Sequence, residues 1–143
     1  MLRAMKRIMM HFRLRVDEQL RPQGATAAQM QVLFAVRNAP GSSGAQLARS
    51  CYITPQTTQA LLKHLEKSNF IVRGKDPVND RIVTMTITPA GDRLLQSVEK
   101  TVQKLQDELW NGVSDRELGQ FNHLLEHCMC NLEIANELGV NCR

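Results

Sequence analysis

The stretch TPQTTQALLKHLEKS, residues 54–68, holds side chains suited to recognition rather than bond-making. On a 3.6-residue period Thr58, Leu61, Leu62 and Leu65 share one face, and Gln56, Ala60, Lys63 and Lys67 fall opposite, with Gln59 and His64 on the flanks. A glutamine can bond adenine bidentately, an alanine leaves room for a thymine methyl, and a lysine reaches guanine or phosphate. Helices of this kind enter the major groove with their N-terminal turn leading, so Gln56, Thr57 and Gln59 are the expected base readers. Lys63 and Lys67 are expected on phosphate. A merely solvated helix face has the same polarity, so the flanking elements decide between the two.

Downstream, FIVRG and IVTMTIT read as two strands joined by the loop KDPVNDR, residues 75–81. A hairpin that only had to turn would need two residues. This loop carries charge of both signs and ends on Arg81. Arg73, Lys75 and Arg81 are its cations, and a guanidinium gains from the negative potential of a minor groove. Asp76, Asn79 and Asp80 suit phosphate poorly. They are expected to fold the tip through Asx turns, with Asp80 bracing Arg81 by a charge-assisted bond.

The elements that position these groups are marked by caps. Met1, Met5, Ile8, Met9, Phe12 and Val16 recur at helical spacing to a stop near Leu20, before Pro22 and Gly24. Thr26-Ala-Ala-Gln29 and Ser43-Gly-Ala-Gln46 are capping boxes opening a second and a short third helix. Thr54-Pro55 is an N-cap followed by proline at the first helical position. Thr88-Pro89 opens a long helix with a nearly heptad stripe of Leu94/Leu95, Val98, Val102, Leu105 and Leu109. Gly112 breaks it, and Ser114-Asp-Arg-Glu117 caps a last helix to about Leu138. A short helix, a turn and a second capped helix form a helix-turn-helix, and the hairpin adds a wing. Ser43, Gln46 and Thr54, at the two helix starts, join the expected DNA contacts.

The fold class is therefore mainly α with a small β-hairpin: a winged helix-turn-helix flanked by N- and C-terminal dimerisation helices. Residues 1–143 read as a single domain, with the DNA-binding lobe at 26–90 and the dimerisation helices at 1–21 and 89–143. Charge supports this division. Residues 46–81 carry six Lys/Arg against three Asp/Glu, and residues 92–143 carry five against nine. No apolar run approaches the roughly 20 residues of a membrane span, and no signal peptide is expected at the N-terminus. A cytoplasmic protein with no membrane partner follows. Cys51, Cys128, Cys130 and Cys142 form no CxxC pair, so free thiols are expected.

With LARSCYITPQTTQALLKHLEKSNFIVR followed by DPVNDRIVTMTITPAG, residues 26 to 110 resemble the MarR family. Arg73, Arg81, Thr88 and Gly91 match its pattern in register, while Asn69 replaces a usual glycine and Asn79 a common aspartate. The resemblance implies an obligate homodimer on pseudo-palindromic duplex DNA, acting as a repressor relieved by a small-molecule or redox signal. Cysteine sensing from the first helix does not carry over, since no cysteine precedes Cys51.

An effector pocket is expected where the first, second and fifth helices meet, lined by Met9, Phe12, Met30 and Phe34, although such a stripe is also ordinary core. Cys51 reads as a small core thiol. On the last helix Phe121, Leu125, Cys128 and Leu132 share a face, which makes Cys128 core. His123, His127 and Cys130 lie at i, i+4 and i+7 on the other face, spacing that could hold a transition metal. Ile134 and Leu138 extend that face, which favours dimer contacts instead. No cofactor is expected. Alternatives to the repressor are a metal-responsive regulator using those three residues and a winged-helix protein-interaction module. An enzyme finds no phosphate loop, carboxylate pair or nucleophile elbow.

Overall fold

Side-chain caps set most of the helix starts. In the computed structural model, which describes residues 1–132, α1 spans Leu2–Leu20 and α2 spans Ala27–Asn38. Then come β1 (Ser42–Ser43), α3 (Gly44–Ser50), α4 (Pro55–Lys67), β2 (Ile71–Lys75), β3 (Val83–Ile87), α5 (Pro89–Leu109) and α6 (Asp115–Asn131). Thr26, Ser43 and Ser114 each form a reciprocal capping box with Gln29, Gln46 and Glu117. The hydrogen bonds from Ser114 hold the Glu117 carboxyl below its ordinary range. Asp17, near the end of α1, accepts from the Ala27 backbone N–H at 2.6 Å and so supplies a further cap to α2.

The hairpin pairs Ile71 with Ile87 through to Lys75 with Val83. A third strand, β1, pairs Ser42 with Met85 and Ser43 with Thr84, giving the sheet order β1-β3-β2. The sequence presents residues 42–43 only as a helix cap. Two serines have no alternation to read, and they become a strand because β3 lies beside them.

The core joins Val16 and Leu20 of α1, Val32, Leu33 and Val36 of α2, Leu47, Leu62 and Leu65 of the helix-turn-helix, Ile71 and Met85 of the sheet, and Leu95, Val98 and Leu105 of α5. Gly91 lets α5 start against the sheet. A Cβ there would lie 2.3 Å from the Phe70 carbonyl oxygen, a distance no side chain tolerates. Thr88 secures the same junction: its hydroxyl donates to the Asn69 carbonyl at 2.7 Å and accepts from the Gly91 N–H at 3.0 Å.

The chain divides into two compact units, Met1–Gln106 and the segment from Asp107 onward, where the sequence reads as one domain. In the second unit Trp110 and Phe121 pack ring to ring at 5.8 Å, yet α6 buries no residue. Cys128, expected in a core, is exposed, and Phe121 and Leu132 are exposed with it. Of the apolar face read on α6, Leu125 is half-buried and Phe121, Cys128 and Leu132 are exposed among the described residues. Ile134, Leu138 and Cys142 lie outside the described residues.

Candidate nucleic-acid interface

Helix α4, the candidate recognition helix, is fixed by both its ends and its inner face. Thr54 accepts from the Thr57 N–H at 3.1 Å, and the Thr58 hydroxyl donates back to the Thr54 carbonyl at 3.0 Å. Thr58, Leu62 and Leu65 are buried and Leu61 is half-buried, so the inner face is the one the 3.6-residue period gives. At the far end the Phe70 N–H bonds the Leu65 carbonyl and the Asn69 N–H bonds the Glu66 carbonyl, a Schellman motif. Its left-handed position is Asn69, with φ 58°. Asparagine tolerates that conformation, so the departure from glycine leaves the turn intact. The turn between α3 and α4 repeats the motif, with Ile53 bonding Ala48, Tyr52 bonding Arg49, and Tyr52 at φ 54°.

The outward groups differ in how far they are engaged. Gln56, Gln59, Ala60, Lys63 and Lys67 are exposed. Thr54 donates its hydroxyl to Thr57 Oγ1 at 2.9 Å, which leaves the Thr57 hydroxyl proton free to point outward as a donor. Ser43 and Gln46 are tied to each other: Gln46 Oε1 accepts from the Ser43 N–H at 2.8 Å, so its outward atom is the amide nitrogen. That polarity suits a phosphate oxygen.

In the wing, Asp76 Oδ1 accepts from the N–H groups of Val78 and Asn79, both at 2.9 Å, and Asn79 Oδ1 accepts from the Arg81 N–H at 3.1 Å. The Asx turns expected of Asp76 and Asn79 are present. Asp80 does not brace Arg81: among the described residues it accepts no bond, because the amides that need an acceptor at the tip are already met by its two neighbours. Arg73 donates Nε–H to Glu66 Oε2 of α4 at 2.7 Å, tying the wing to the recognition helix. Lys63, Lys67, Lys75 and Arg81 take part in no ion pair among the described residues.

Two features of this surface escape the sequence reading. Arg49 is exposed on α3, one turn beyond Gln46, and the i, i+3 spacing was its signal. His64 Nδ1 lies 3.2 Å from Gln29 Nε2. Gln29 Oε1 already accepts from the Thr26 N–H at 3.1 Å, so its amide nitrogen faces the ring and Nδ1 is the acceptor. No sequence signal announces a contact across 35 residues.

Met9, Phe12, Met30 and Phe34 line a cavity of about 650 Å³ together with Val98 and Val102 of α5 and the cations Lys6 and Arg13. Arg37 stacks 4.8 Å over the Phe34 ring, donates to Glu99 and stands 3.7 Å from Asp92. The bond to Glu99 raises the Arg37 pKa against partial desolvation, and the charges of Glu99 and Asp92 add to it. Cys51 is buried, and burial pushes its thiol up. The thiols are not all free: Cys130 is disulfide-bonded. Among the described residues no three His, Cys, Asp or Glu groups, His123, His127 and Cys130 included, stand where they could hold a metal. No helix among them is long and apolar enough to cross a membrane.

A capped helix with a free polar face, a short partner helix and a hairpin wing define a winged helix-turn-helix protein. Residues 23–82 match the model of the MarR family. HTH-type transcriptional repressor Rv2887 of Mycobacterium tuberculosis is 27% identical over 111 residues, covering 78% of this chain and 80% of that protein. The crystal structure of the transcriptional regulator SlyA superposes with a TM-score of 0.84 at 22% identity, covering 96% of both chains. A mutant E. coli MarR complexed with operator DNA gives 0.80 at 23% identity, over 89% of this chain and 91% of that one. The chain is thus similar to MarR-family transcriptional regulators over its winged helix-turn-helix segment, and it shares the fold of those solved structures.

Proposed function

We propose that the chain acts in the cytoplasm as a homodimeric repressor of a pseudo-palindromic operator, released when a small molecule fills the cavity between α1, α2 and α5. The observation that carries DNA reading is the contrast on the basic surface: Arg73 is paired internally, whereas Lys63, Lys67, Lys75 and Arg81 are left for phosphate. Gln56, Thr57 and Gln59 lead the recognition helix into a major groove, and Arg81 enters the neighbouring minor groove. Two such helices would read half-sites about one DNA turn apart.

Support for the dimer lies in exposed apolar surface. Met1, Leu2, Met5, Ile8 and Met9 form an uncovered stripe on α1, and Trp110, Val113, Phe121, Leu124 and Leu132 are exposed in the second unit. Patches of this kind on a small chain mark interaction surfaces. For the effector, a mostly apolar lining that includes Lys6 and Arg13 suits an apolar anion. A redox signal finds less support, because Cys51 is buried with its thiol held neutral.

Selection of binding sites from random duplex DNA with the purified protein, beside a mass measurement in solution, tests the reading. A palindromic motif and a mass of two chains are expected. A monomer that enriches no motif at any salt overturns it and favours a protein-interaction module, whose affinity would depend little on salt.

A further inference from the structure

Gly44 opens α3 and is buried. Its φ is not positive, so the backbone itself does not demand glycine. Space does. A Cβ at residue 44 would lie 2.5 Å from Gln59 Nε2, while the next neighbour, Leu62 Cδ1, would stand at an ordinary 3.6 Å. The volume that a side chain would take is thus filled by the far end of one long side chain from the recognition helix.

We infer that Gly44 is a specificity-determining residue: by lacking a Cβ it seats the Gln59 carboxamide against the first turn of α3 and so fixes the amide that α4 presents to a base. The inference rests on the reading of α4 as the base-reading helix. Gln59 is exposed and makes no side-chain hydrogen bond among the described residues, so its seat is steric. A free glutamine has three rotatable bonds. Adenine is distinguished only when the amide oxygen and nitrogen meet N6 and N7 together, which requires a set plane. Without the seat, Gln59 adopts several rotamers, orders only on binding, and accepts several bases.

A purely structural role for Gly44 makes the opposite forecast. Alanine is the better helix former, and only the mobile tip of Gln59 stands in its way. Gly44→Ala would then fold at least as well and read the same sequence.

The test is binding-site selection from random duplex DNA with wild type, Gly44→Ala, Gln59→Ala and the double variant, with thermal unfolding run alongside. Gly44→Ala is expected to unfold within a few degrees of wild type. It should flatten base preference at one position of each half-site by at least about fivefold, the lower bound for losing a bidentate contact. Gln59→Ala should flatten the same position, and Gly44→Ala should add nothing in its background. Gln59→Asn, one methylene too short for the seat, should flatten it with Gly44 intact, which keeps the idea testable if Gly44→Ala does not fold. An unchanged preference in Gly44→Ala or in Gln59→Asn overturns the inference, as does an effect of Gly44→Ala that persists without Gln59. If wild type enriches no motif, the reading of α4 falls and this inference falls with it. A sharp wild-type motif that Gly44→Ala leaves intact sinks the inference alone.

Discussion

Arg73 and Arg81 flank one wing and look interchangeable in the sequence, yet they should answer oppositely to removal. Arg81 offers its guanidinium to solvent, whereas Arg73 is committed to Glu66 at 2.7 Å. Each phosphate neutralised by a cation on duplex DNA contributes about 0.9 to the slope of log affinity against log salt. Lys63, Lys67, Lys75 and Arg81 are four unpaired cations per chain, eight in the proposed dimer, for an expected slope near −7 and a loss of about 10⁴ in affinity between roughly 50 and 200 mM salt. Arg81→Ala removes two of the eight and should flatten the slope by about 1.8. Arg73→Ala should leave the slope unchanged. It loses instead a half-exposed ion pair worth at most about 1 kcal/mol of stability. Fluorescence anisotropy of a labelled operator across a salt series measures both. If Arg73→Ala flattens the slope as much as Arg81→Ala, the Glu66 pair does not hold Arg73 off the DNA and the argument from pairing fails.

Gly91→Ala should destabilise by about 3 kcal/mol or more, since the new Cβ meets the Phe70 backbone carbonyl, which cannot turn aside; the loss is read as a fall in urea midpoint. A double-mutant cycle on Arg37→Met and Glu99→Gln should give a coupling of about 1 kcal/mol, diminished at high salt because the pair is only partly buried. No coupling would mean that the pair is not held in solution. Burial keeps the Cys51 thiol protonated to higher pH than in the unfolded chain, so its contribution to stability is complete below the unfolded pKa and is lost as pH rises from there through the higher folded pKa. Alkylation at neutral pH, followed by mass spectrometry, should therefore reach exposed Cys128 well before Cys51.

The sequence by itself determined the helix starts and the inner face of α4, because both are local. A cap binds an amide three residues away, as Ser114 does to Glu117, and a 3.6-residue period sets Thr58, Leu62 and Leu65 on one side whatever packs there. Much of the outer face of α4, from Gln56 to Lys67, was legible for the same reason. Tertiary structure decided the rest. Ser42 and Ser43 became a strand only beside β3, Arg73 was paired with Glu66, and Gln29 reached His64 across 35 residues. The bracing of the wing passed from Asp80 to Asp76 and Asn79, since the geometry of the tip fixes which amides lie within reach of which oxygens. Contacts distant in sequence leave no spacing to read. They exist because the core of α2, α4, α5 and the sheet brings their backbones together, and side-chain partners follow from that approach.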